Sequence, residues 1–220
     1  GSTGSGKIFN LKRLGVACTL YSVFGDDYYG EKIKTILTEN AIDFIYDIDP
    51  SGTERHINLM DAEGRRISMF ITQSASKVQH NMTAIEKQLD AANVVVLNII
   101  DYCRYLIPSI KKFNKPVWTD LHDYDGKSTY HNDFIEASQY IHLSSDNLID
   151  YFEVMQRFIS MGKELVVCTH GKQGATLLAK DGLRIDQQAL ISYPMVDANG
   201  AGDSFFAWFL VGWMKNKPYQ

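Results

Sequence analysis

The residues best placed to do chemistry lie near the end of the chain, in Asp197-Ala198-Asn199-Gly200-Ala201-Gly202-Asp203. The apolar stretch Phe206 to Met214 follows and reads as a buried helix, so the small residues at 200–202 fall at a helix N-terminus. Backbone N–H groups there lack intrahelical acceptors, and the helix dipole favours an anion. Small side chains let a phosphate approach the backbone closely. Asp203 adds a carboxylate beside that anion site, which is electrostatically costly unless the carboxylate has a task. Phosphoryl transfer supplies one: Gly200, Ala201 and Gly202 form an anion hole for the moving phosphate, and Asp203 takes a proton from the attacking hydroxyl. A plain Gly-rich helix start with Asp203 as a favourable first-turn acid accounts for the same residues, and local chemistry leaves both readings open.

A second glycine-rich segment opens the chain. Gly1-Ser2-Thr3-Gly4-Ser5-Gly6-Lys7 fits the first seven places of a P-loop, but Ile8 stands where a Mg²⁺-binding hydroxyl belongs, and no strand precedes the glycines. A P-loop NTPase using Gly1 to Lys7 is therefore the secondary alternative. His122, His131 and His142 show no metal-ligand spacing. Cys18, Cys103 and Cys168 are three, far apart, and two of them sit in apolar runs, which predicts small buried hydrophobes in a reducing cytoplasm. The net charge of −4 has no clustered Lys or Arg, which argues against a nucleic-acid partner. No apolar run nears the roughly 18 residues of a membrane span, and no signal peptide is legible at the N-terminus.

The elements that must position these residues alternate between apolar runs and amphipathic stretches. Strands are predicted over 16–23, 93–98, 116–120, 140–143 and 164–169, with helices over 27–39, 102–113, 132–138 and 146–160 between them. This is the pattern of an α/β domain: a mostly parallel sheet with helices on both faces. Residues 42–74 break it with strand-like runs at 42–48, 55–60 and 67–72, the last two joined by Asp61-Ala62-Glu63-Gly64 as a hairpin. The expected organisation is a core of 1–41 and 75–220 with 42–74 as an inserted β-sheet lid, able to close over a cleft or to serve as a homodimer surface. Asp120 and Asn98 end predicted strands, where sites of parallel sheets gather. Asp120 is a candidate for positioning metal or phosphate, or else an N-cap; Asn98 is a candidate for facing substrate.

The segment 197–203 resembles the Asp-Thr-x-Gly-Ala-Gly-Asp signature of the ribokinase-like (PfkB) carbohydrate and nucleoside kinases, with Ala198 in place of Thr. Val167-Cys168-Thr169-His170-Gly171-Lys172-Gln173-Gly174-Ala175 is similar to the strand-turn-strand that lies against the nucleotide in that family. Phe24-Gly25-Asp26-Asp27-Tyr28-Tyr29-Gly30 resembles its Gly-x-Asp-x-x-Gly turn, read here as structural, with Asp26 or Asp27 capping the next helix. The resemblance implies a ribokinase-like fold and an ATP- and Mg²⁺-dependent kinase acting on an alcohol of a small-molecule sugar or nucleoside. Asp203 would then be the catalytic base, Gly200 to Gly202 the anion hole, and Thr169, Gly171 and Gly174 nucleotide-binding.

The resemblance also implies less firmly anchored sites. Asp197 falls near a monovalent-cation (K⁺) site, and Asn147 with Asp150 matches an Asn-x-x-Glu that organises Mg²⁺ through water, with Asp for Glu; helix capping by Asp150 is the other reading. Gly1 and Ser2 fall at the family's Gly-Gly substrate pair, and Gly6 at its substrate-binding Asn. On this alignment the family's first strand and C-terminal elements lie outside the 220 residues. The departures at Gly6 and Asp150 leave a non-catalytic sugar-sensing relative as the main alternative.

Overall fold

The computed structural model describes residues 3–60, 66–75, 77–122, 124–190 and 199–217. They fall in two compact units, Gly1–Val16 with Leu89–Gln220, and Ala17–Gln88. The larger unit opens with helix α1 (Thr3–Arg13), whose buried face is Gly4, Lys7, Ile8 and Leu11, an amphipathic spacing with a lysine in it.

In the smaller unit β1 (Thr19–Phe24) leads through α2 (Tyr28–Glu39) to β2 (Asp43–Ile48), and the two strands pair in parallel from Thr19–Asp43 to Phe24–Ile48. Asp27, not Asp26, caps α2 by accepting from the amides of Tyr29 and Gly30. The amide of Thr53, then that of Gly30, draw its carboxyl down to about 2. The expected hairpin forms from β3 (Arg55–Met60) and β4 (Arg66–Thr72), a small antiparallel sheet. The run at 42–48 does not join it, because β2 pairs with β1. Helix α3 (Met82–Ala91) runs from this unit into the larger one.

The larger unit continues with β5 (Val95–Asn98), α4 (Asp101–Arg104), α5 (Ile107–Phe113), β6 (Val117–Asp120), α6 (Asn132–Ala137) and β7 (Tyr140–Ser144). Then come α7 (Tyr151–Ser160), β8 (Leu165–Thr169), β9 (Ala175–Ala179), β10 (Arg184–Gln187) and α8 (Ala201–Met214). The sheet runs β10-β9-β8-β7-β6-β5, parallel from β5 to β8 and antiparallel through β9 and β10. The helix predicted over 102–113 is two, because Pro108 has no N–H to donate and so suits the first turn of a new helix. Helix α7 begins at Tyr151, later than predicted, because Asp150 caps it through the Glu153 amide at 2.9 Å.

Alternation along the central strands gives the sheet two different faces. On one, Ile141, Leu143 and Val166 pack with Ile135 of α6 and Met155 and Phe158 of α7. On the other, Trp118 stacks on Tyr140 at 5.0 Å and meets Phe206, Phe209 and Trp213 of α8 edge-on at 5.6–5.9 Å. Helix α1 packs against α8. Trp118 thus docks on the sheet the helix that carries Asp203. Trp118 is 1% exposed, so Trp118→Ala is expected to cost about 3–5 kcal/mol in urea-unfolding experiments.

Candidate active site

Parallel register sets Asn98 beside Asp120 and Asp120 beside His142, so these three share a face at the C-terminal edge of β5, β6 and β7. Asp120 is buried. Its Oδ1 contacts His142 Nδ1 at 2.9 Å and accepts from the His122 amide at 3.0 Å, while Oδ2 takes the Lys7 ammonium at 2.8 Å. The same ammonium donates to Asp203 Oδ1, also at 2.8 Å. Its third neighbour is the Phe206 ring, 5.2 Å away. Lys7 is 2% exposed, and Asp203 retains 18% of its side-chain surface.

Burial works to raise the Asp120 carboxyl, but His142, Lys7 and His122 outweigh it and hold the group well below the usual carboxylate range. Burial lowers the His122 imidazole in turn, against the pull of Asp120.

Gly200 precedes α8 in the left-handed region, φ 76°, which suits glycine. The Ser204 amide donates to Gly200 O at 2.9 Å, so the amides of Ala201, Gly202 and Asp203 lie ahead of that bond at the helix start. Among the described residues, a Cβ added at Gly200 or Gly202 would meet nothing within 4 Å. Gly6 lies against Asp203: a Cβ there would overlap Asp203 Oδ2. Its place in the site is to leave room, and its carbonyl accepts from the Asn10 side chain at 2.9 Å.

The remaining candidates lie elsewhere on the sheet edge. Thr169 ends β8, Gly171 stands in the single helical turn that follows, and Gly174 starts the return into β9 at φ 114°, where a Cβ would overlap Gln187 O. His170 joins this turn to the loop after β7 by contacting Ser145 Oγ and Thr176 Oγ1, both at 3.0 Å. Asn147 and Asp150 are exposed in that loop, and one Asp150 oxygen serves as the cap of α7. Gly1, Ser2 and Asp197 lie outside the described residues.

The P-loop alternative is overturned. Residues 3 to 7 belong to a helix whose lysine is engaged by two carboxylates, so they form no loop that could cradle phosphates. Sequence reasoning missed the true position of Lys7. The signal was present: spacing 4, 7, 8, 11 places Lys7 on the buried face, and a buried ammonium requires anionic partners.

A family model described as "pfkB family carbohydrate kinase" matches residues 133–220. The acarbose 7(IV)-phosphotransferase of an Actinoplanes species is 28% identical over 224 residues, covering 100% of this chain and 75% of that protein. The solved structure of a microbiome-derived acarbose kinase is 30% identical with a TM-score of 0.86, covering 97% of this chain and 73% of that one. The chain belongs to the PfkB family of carbohydrate kinases. Arabidopsis thaliana ribokinase, solved with ribose and ATP, shares the fold at 17% identity and a TM-score of 0.80, covering 100% of this chain and 76% of that one. Among the described residues no helix is long and apolar enough to cross a membrane.

In this PfkB protein the carboxylate cluster sets the response to acid. Asp120 is depressed in the folded state, so its contribution to stability is complete above the unfolded value of about 4 and is lost as pH falls further. His122, also depressed, begins to withdraw stability as pH falls below about 6.5. Urea midpoints should therefore fall on acidification from pH 7. Asp120→Asn, which breaks a buried pair, should cost about 3–5 kcal/mol at neutral pH, with its deficit shrinking below about pH 4.

Proposed function

We propose that this PfkB kinase transfers the γ-phosphate of ATP to a hydroxyl of a sugar, with Asp203 as base and the Gly200–Gly202 helix start as anion hole. The observation that carries the reading is that one helix start, at the C-terminal edge of the parallel strands, holds both amides ahead of the first helical bond and the Asp203 carboxylate. Asp203 takes the hydroxyl proton as the sugar oxygen bonds to the γ-phosphorus, and the bond to the bridging oxygen of departing ADP breaks. The amides of residues 200–202 donate to the transferring oxygens, where negative charge is held. Thr169, Gly171 and Gly174 form the turn proposed to lie against the nucleotide.

Mg²⁺ would neutralise the phosphate charge. It takes few protein ligands and keeps most of its waters. Asn147 and the Asp150 oxygen not used in capping α7 fit such water-mediated contact, since both residues are exposed in one loop. Relatives named for acarbose, at 28% and 30% identity, make an oligosaccharide-like sugar the first substrate to test, with ribose and nucleosides as competitors.

A phosphorylation screen over acarbose, ribose and nucleosides is expected to return a sugar. Asp203→Asn should reduce the rate on it about 10²–10⁴-fold while ATP still binds. Turnover near the wild-type rate in that variant would remove Asp203 as base.

A further inference from the structure

We propose that Lys7 is the positioning residue of this site: its ammonium, anchored on Asp120, fixes the Asp203 carboxylate over Gly6 through Oδ1 and leaves Oδ2 to take the substrate proton. This rests on reading Asp203 as the base.

A lysine on the buried face of an amphipathic helix gives up hydration that only well-placed anions restore. Asp120 alone would neutralise it, yet the ammonium sits 2.8 Å from each of two carboxylates. The two are not equivalent. Asp120 is immobilised from behind by His142 and by the His122 amide, and its side chain is 3% exposed. Asp203 keeps 18% of its surface and reaches solvent. The order is therefore from rigid to reactive, His142 on β7, Asp120 on β6, Lys7 on α1, Asp203 on α8.

Lys7 also grips α8 one turn further on, where the Phe206 ring lies 5.2 Å from its nitrogen. Charge-assisted bonds of this kind fix geometry, which is what a base must have to meet a hydroxyl in line with the phosphorus. Gly6 completes the arrangement, because any side chain there would occupy the place of the carboxylate. Among the described residues, the charged and titratable groups around Asp203 include Lys7 from α1, Asp120 and His122 at the end of β6, and His142 from β7. The consecutive pair Gly6-Lys7 thus works as one device: the first residue makes the space and the second holds the carboxylate in it.

The test is Lys7→Met, nearly isosteric and uncharged, read in two ways. A crystal structure of the variant should show the Asp203 carboxylate displaced from Gly6. On the sugar found by the screen, kcat should fall about 100-fold with KM for ATP within about twofold of wild type. If Lys7→Met does not fold, Lys7→Met/Asp120→Asn removes the buried pair together, leaves unpaired only the Asp203 carboxylate, which reaches solvent, and should show both effects.

A carboxylate that stays in place overturns the proposal whatever the activity. So does a wild-type kcat in a folded variant when Asp203→Asn is inactive. If the carboxylate moves but Asp203→Asn retains full activity, positioning by Lys7 stands and the assignment of the base fails.

Discussion

One ammonium group organises this site. Lys7 is buried on α1, and a charge taken out of water must find its compensation inside the protein. It does so by drawing Asp120 from the end of β6 and Asp203 from the first turn of α8 to the same nitrogen. Three elements far apart in sequence are thereby referred to one point. Removing Lys7 strips both carboxylates of their shared ammonium, so the arrangement tolerates little drift.

The helix that carries Asp203 is held by different physics. Phe206, Phe209 and Trp213 surround Trp118 on the sheet, and Phe205 stacks with His142 at 5.7 Å. Aromatic burial is strong but tolerant of small rotations, whereas a pair of 2.8 Å ionic contacts is not. The aromatic face therefore secures α8 against the sheet, and the ionic clamp sets the orientation of its first turn. The left-handed Gly200 then turns the chain into the helix, ahead of its leading amides.

Departures from the family pattern gain meaning in this setting. The resemblance sets Gly6 at the place of a substrate-binding Asn, and in this chain the room beside Gly6 is filled by Asp203. Asp150 stands for Glu, and it spends one oxygen capping α7. The glycines and aspartate of the helix start keep the spacing of the signature that they resemble.

Much of this was legible in the residues themselves. The period of apolar positions located the four parallel strands β5 to β8 and most of the helices, because burial on two faces leaves a continuous apolar run whatever its neighbours are; it did not locate the antiparallel β9 and β10. The 200–203 segment announced a helix start with an acid beside it, since glycine spacing and the following apolar helix are local facts. What sequence could not supply was pairing. Strand β2 joined β1 and not the hairpin, a choice made by partner strands and not by its own side chains. The meaning of Lys7 was likewise decided elsewhere: read locally it completed a broken phosphate-loop motif, and only the fold brought Asp120 and Asp203, more than a hundred residues away, within reach of its charge. Local spacing is fixed along the chain, but the partner of a buried charge is fixed by whichever elements pack around it.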